Sequence, residues 1–151
     1  MREARCGECG ATVDPGRTCR DHFDALLALE WEIPGGPGEF AHFYAVASYG
    51  LQHPSSMGYT VETRDALRSA VNDALAGSAT MDALRQRARS GAKERGRITR
   101  RAGDAEAEWG ISSWPINVTD MLSSPRDAKQ YGDRVATWAR SIIEKLDAGD
   151  R

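Results

Sequence analysis

Near its start the chain places three cysteines and a histidine at a spacing that suits a metal: Cys6-x2-Cys9, then, after nine residues, Cys19-x2-His22. Thiolate and imidazole are the donors that zinc takes in a closed tetrahedral site, and two pairs joined by a short loop let four donors converge on one centre. Gly7 and Gly10 supply the tight turn that such a knuckle needs. The competing chemistry is a set of free thiols, or a redox pair with a bystander. A thioredoxin-like pair requires a strand before the motif and a parallel sheet around it, and neither is legible here. Three cysteines are also too few, and of the wrong parity, for a disulfide framework. Zinc on Cys6, Cys9 and Cys19 is the expectation, with His22 as the fourth ligand by local spacing, one turn into the helix that follows.

The elements that must position these residues are helical. From Cys19, the residues Phe23, Leu26, Leu27 and Trp31 recur at three- and four-residue steps, the stripe of an amphipathic helix, which Pro34-Gly35-Gly36-Pro37-Gly38 ends. A second helix runs from about Glu39 to Gln52 and stops before Pro54, because the residue preceding proline is pushed out of the helical region. The short Pro/Gly loop makes the two helices antiparallel neighbours. That places His53, at the end of the second helix, beside Cys19 at the start of the first, so His53 rivals His22. His42 and His53 are eleven residues apart, hence within about 20° on one helix but roughly 16 Å apart along its axis, and cannot share a metal. His42 instead falls near the end of the first helix, where Glu30 shares the face of Phe23 and Leu26. A buried carboxylate beside an imidazole can form a proton-transfer pair or simply hold two helices together, and Tyr49 could line the same groove or fill it.

Further along, Thr60 is placed to cap a third helix through Val61, Leu67, Val71 and Leu75, and Thr80 a fourth as far as about Ala92. Eight basic residues lie between Arg85 and Arg101 against the single acid Glu94, followed at once by Asp104, Glu106 and Glu108. Such a run can grip phosphates, with Trp109 and Trp114 stacking on bases, but the acids beside it can neutralise it, and a solvated connection is the simpler account. Trp31, Trp109, Trp114 and Trp138 read as core and rim residues, and Trp109 to Pro115 as an ordered loop. A short helix starts near Val118. In the last helix Ser124 is the N-cap and Pro125 the first helical residue, with Tyr131, Val135, Trp138, Ile142 and Leu146 down one face to Gly149.

Several of these stretches together resemble an uncharacterised bacterial family, domain of unknown function 5946. The residues that carry the resemblance are Cys6-x2-Cys9, Cys19-Arg-Asp-x-Phe23-Asp-x-Leu26-Leu27-Ala28-Leu29-Glu30, His42, Tyr49-Gly-Leu51-Gln52-His53-Pro54, Trp114-Pro115-x-x-Val118 and Tyr131-x3-Val135-x2-Trp138-Ala139. They cover nearly the whole chain; the cysteine pattern and Gln-His-Pro are the specific parts. The resemblance implies no established activity, but it matches Glu30, His42 and His53 to motif positions and not His22. It therefore moves the expected fourth ligand to His53, with His22 as the rival.

With 151 residues, 40% of them hydrophobic and 28% charged, and a net charge of -2, the composition is that of one soluble domain with no bulk basicity to draw nucleic acid. No run of about 18 apolar residues is present, and Met1-Arg2-Glu3-Ala4-Arg5 leads into the cysteines rather than into an apolar signal. The expectation is a cytoplasmic, all-α single domain: a bundle of about five helices with an N-terminal zinc knuckle. Its parts are a knuckle over 1–19, four helices over 20–92, a basic/acidic connection and tryptophan loop over 93–123, and a final helix over 124–148. Four protein ligands leave no open coordination position, so the metal is expected to be structural and the protein an accessory or interaction module for a protein partner or small molecule. The reading from another class is a small enzyme built on His42, Glu30 and Tyr49, or on an open metal site. Nucleic-acid binding through Arg85–Arg101 is the weaker alternative, and no membrane partner is expected.

Overall fold

The computed structural model describes residues 4–95 and 98–149, the side chains of 92–95 excepted. A two-stranded antiparallel ribbon, β1 (Ala4–Arg5) and β2 (Thr12–Val13), is followed by α1 (Cys19–Glu32), α2 (Glu39–Gln52), α3 (Val61–Leu75), α4 (Met81–Arg95), a single 3-10 turn (Val118–Met121) and α5 (Ala128–Gly149). The architecture is the expected all-α bundle of five helices. The ribbon is too short to leave an alternating pattern in the sequence; its two residue pairs are set by the turn that carries Cys6 and Cys9. No described helix is long and apolar enough to cross a membrane.

Local chemistry explains the boundaries. Thr18 caps α1 through a reciprocal box with Asp21, and Thr60 caps α3 by accepting the Thr63 amide. α5 starts later than the Ser124-Pro125 signal suggests. Asp127 accepts the Gln130 amide at 2.8 Å and the Gln130 side chain reaches back to the Arg126 amide at 2.6 Å, so the acidic side chain nearer the stripe captures the orphan donors.

α2 lies at the centre. Its buried residues Ala41, Tyr44, Ala45, Ala47, Ser48, Tyr49, Gly50, Leu51 and Gln52 point all round the axis, as expected of a helix covered on several sides. It packs chiefly on α5 and on α3, which also meet each other, while α1 packs on the 3-10 turn. Small residues allow the close approach: a Cβ on Gly50 would lie 2.9 Å from the Tyr59 hydroxyl. The stripe of α5 is fully engaged, with Tyr131, Val135, Trp138, Ala139 and Ile142 at zero exposure.

α1 and α2 run antiparallel and meet through side chains at both ends. Phe23 stacks on Tyr49 at 4.2 Å near one end, and Glu30 meets His42 near the other. The buried face of α1 is Cys19, Phe23, Leu26 and Glu30. Trp31 corrects the sequence reading. It is 91% exposed rather than core or rim, because it falls about 100° from the centre of that face.

Candidate metal centre

The knuckle is a hydrogen-bonded turn that points two sulfurs the same way. The Cys6 amide donates to the Ala11 carbonyl at 2.8 Å and the Gly10 amide to the Cys6 carbonyl at 2.9 Å. Gly10 has φ +80°, and a Cβ there would meet the Ser112 carbonyl at 2.9 Å, so the turn requires glycine twice over. The Ala11 amide donates to Cys9 Sγ at 3.4 Å, which fixes the direction of that sulfur. Cys19 joins from the first turn of α1, its sulfur 3.5 Å from that of Cys9. His53, the residue after α2, closes the group with Nε2 3.6 Å from Cys6 Sγ.

The four donor atoms all lie within 4.8 Å of one another, and the three cysteines are not disulfide-bonded. They are close enough to bind one metal ion. Cys9 and His53 are each 1% exposed and Cys19 is 7%. The imidazole is held in one orientation. Its Nδ1 donates to the Tyr49 carbonyl at 2.8 Å, and since a carbonyl only accepts, Nε2 is left to face Cys6. The ring also stacks on Tyr49 at 4.0 Å, extending the Phe23–Tyr49 pair into a three-ring column.

Crowding sulfurs in this way perturbs them strongly. Hydrogen bonds from Cys19 and then Cys9 hold the Cys6 thiol far below its usual range, whereas those with Cys6 and then Cys9, together with burial, drive Cys19 far above it. Burial pulls the His53 pKa down, but the hydrogen bonds to Cys6, Cys9 and the Tyr49 carbonyl outweigh it and carry the imidazole up to about 10. Three sulfurs, two of them buried and Cys6 half-buried, cannot all be thiolates at these distances without a cation between them.

Between the two histidine candidates the tertiary structure separates clearly. His53 lies in the cluster, and His22 does not; its Nε2 is buried without a partner among the described residues. Tyr49 belongs to the cysteine end through its stack on His53, whereas Tyr131 of α5 stands beside Glu30 and His42. There Tyr131 Oη donates to Glu30 Oε1 at 2.6 Å, and His42 Nδ1 lies 2.7 Å from Glu30 Oε2.

The sequence of one protein family, Family of unknown function (DUF5946), is matched by residues 4–147. The chain belongs to that family. No curated protein and no solved structure matches it significantly.

Two features of this family member escape sequence reasoning. Glu8, inside the Cys6-to-Cys9 turn, accepts the amides of Ser55 at 3.3 Å and Ser56 at 3.1 Å and the Ser56 hydroxyl, which fastens the knuckle to the segment after His53. A glutamate in a polar turn carries no signal of such a role. Both loop tryptophans clamp the same region: Trp114 Nε1 donates to the Glu8 carbonyl at 3.1 Å and Trp109 Nε1 to the Leu51 carbonyl at 2.8 Å. Arg64 covers the Trp109 ring at 4.0 Å. Within the basic run, Arg85 pairs with Glu39 and Asp82, Arg87 with Asp73, and Arg100 with Glu106. The side chains of Lys93 and Arg95, and all of Arg97, lie outside the described residues, as do Met1, Arg2 and Glu3.

Proposed function

We propose that this protein is a zinc-binding helical module in which the metal is structural, and that it serves as an accessory or interaction protein in the cytoplasm. The observation that carries the reading is the donor set: three thiols and one imidazole, converging from three chain segments, with Cys9, Cys19 and His53 buried and Cys6 half-buried. Thiolate with imidazole in a tetrahedral arrangement favours zinc over harder cations. With Zn–S near 2.3 Å and Zn–N about 2.0–2.1 Å, a tetrahedron requires about 3.8 Å between sulfurs and about 3.6 Å between sulfur and nitrogen. The separations of 3.5 Å and 3.6 Å fit it.

When bound, zinc supplies neutralising charge and a cross-link, with no chemistry toward a substrate. Everything else is done by the chain. Cys6 and Cys9 present the knuckle, Cys19 brings the start of α1, and His53 brings the end of α2 with its tautomer fixed by the Tyr49 carbonyl. Four protein donors leave no position for water or substrate, which supports a structural rather than a catalytic centre. Three reduced cysteines fit a reducing compartment, and the pairing of Arg85, Arg87 and Arg100 with acids argues against a free phosphate-binding face.

The test is metal analysis by mass spectrometry on protein purified without added metal, followed by cobalt substitution. One zinc per chain, and a cobalt spectrum typical of four-coordinate thiolate that added imidazole or cyanide leaves unchanged, is the expected result. Absence of metal would remove the reading, and a cobalt spectrum that responds to these small ligands would move the centre into the catalytic class.

A further inference from the structure

A second constellation lies at the other end of the α1–α2 pair. Glu30 is eleven residues beyond Cys19 on α1, about 16 Å along the axis, so it is independent of the metal centre. Its carboxylate is 6% exposed and engaged on both oxygens, by Tyr131 Oη at 2.6 Å and by His42 Nδ1 at 2.7 Å. Tyr131 has no exposure at all, and burial followed by the hydrogen bond to Glu30 pushes its phenol well above the usual range, so it remains a donor. The carboxylate is thus pinned from behind and holds the proton of His42 on Nδ1. The opposite ring nitrogen, Nε2, has no hydrogen bond to any described residue, and the His42 side chain is 55% exposed.

His42 opens onto a groove of about 820 Å³ between the end of α1, the start of α2 and the first turn of α4. That volume is within the range of small-molecule sites, roughly 300–1,000 Å³. Its walls are mostly apolar, with Leu27, Phe43, Val46 and Met81, and the indole of Trp31 stands at the edge almost wholly exposed. A helix residue of this size left in water beside an oriented imidazole is the arrangement of an apolar site with one directional polar contact.

We propose that this groove binds a small, predominantly aromatic or aliphatic molecule that carries a hydroxyl group, with His42 Nε2 accepting the hydroxyl hydrogen, Glu30 as the positioning residue for the imidazole, and Trp31 covering the apolar body. Arg85 and Glu39 also line the groove but are paired with each other at 3.2 Å, so recognition of the hydroxyl rests on His42 Nε2. A ligand without the O–H leaves Nε2 without its partner and loses the directional contact, whereas its apolar body gains as much from the walls as before.

The experiment uses 2-naphthol and its O-methyl ether, 2-methoxynaphthalene, as matched probes of the full chain, read by calorimetric titration and by the nitrogen chemical shifts of the histidine rings. Binding of 2-naphthol at least ten times tighter than the ether, with a shift confined to Nε2 of His42, is expected. In His42→Ala, whose folding is checked by circular dichroism because Glu30 loses one of its two partners, the two probes should bind alike. Glu30→Gln should reduce the preference without removing apolar binding, and if that variant does not fold, Tyr131→Phe, which frees the other oxygen of the Glu30 carboxylate, tests the same positioning role. Equal binding of both probes to the natural chain, a preference that survives in His42→Ala, or no binding of 2-naphthol up to its solubility would each overturn the proposal.

Discussion

Replacing His53 by alanine removes one of four donors, a fully buried ring, and the hydrogen bond that joins it to Tyr49. A ligand that binds only the folded state adds about 2.7 kcal/mol at a hundred times its dissociation constant and about 4.1 at a thousand times. For a chain of this size each kcal/mol moves the melting temperature by roughly 2–4 °C. Zinc buffered at a hundred times the dissociation constant should therefore raise the melting temperature of the reduced, chelator-treated protein by about 5–11 °C. Loss of an outer-shell partner alone typically weakens a metal site about 10–100-fold, so loss of the donor itself should cost at least about 100-fold. At the same buffered zinc the His53→Ala protein would then retain no more than about 0.4 kcal/mol of metal stabilisation, a shift of about 1–2 °C. His22→Ala, which removes none of the four donors, should keep the whole shift. Differential scanning calorimetry with buffered zinc reads all three proteins directly. A full shift in His53→Ala, or its loss in His22→Ala, would refute the assignment of donors and the reasoning that places the fourth one after α2.

Other predictions concern the framework around the two sites. Tyr131→Phe leaves a buried carboxylate oxygen without its donor, a loss of about 1.5–3 kcal/mol for a hydrogen bond to a charged group, so thermal unfolding should fall by about 3–12 °C; no change would mean that Glu30 is not held by this bond. Gly10→Ala forces a side chain into the left-handed region and against the Ser112 carbonyl, at a cost of at least about 1–2 kcal/mol, and equilibrium urea unfolding should show it together with weaker zinc retention. All four tyrosines, Tyr44, Tyr49, Tyr59 and Tyr131, have pKa values raised chiefly by burial. A raised pKa stabilises the fold fully below the unfolded value near 10, and that stabilisation is lost as pH climbs above it. Absorbance titration should show little tyrosinate at pH 10 and a cooperative appearance only with alkaline unfolding; four independent ionisations near pH 10 would contradict the packing.

Much of this was legible in the residues alone, because the signals are local. The cysteine turn with its glycines, the cap at Thr60, the helix break at the Pro/Gly loop and the stop before Pro54 each depend on a few neighbouring positions. The stripe of α5 and the bounds of α2 follow from periodicity in the same way. Even the approach of Glu30 to His42 followed from two antiparallel helices joined by a short loop.

What only the tertiary structure decided are the contacts between distant segments, where several residues of equal chemical fitness compete. His22 and His53 offer the same imidazole, and spacing favoured the nearer one; the direction in which α1 turns its first turn and α2 ends leaves His53, not His22, facing the sulfurs. Tyr49 and Tyr131 offer the same phenol, but Tyr131 arrives at Glu30 from a helix a hundred residues away. Glu8 and the tryptophans of the loop gained their roles only when the knuckle closed against the end of α2. Periodicity states that a face is buried, and chemistry states what a side chain can do. Which face meets which is settled by the packing of the whole chain, and that is where the Cys3His cluster and the Glu30 cluster were made.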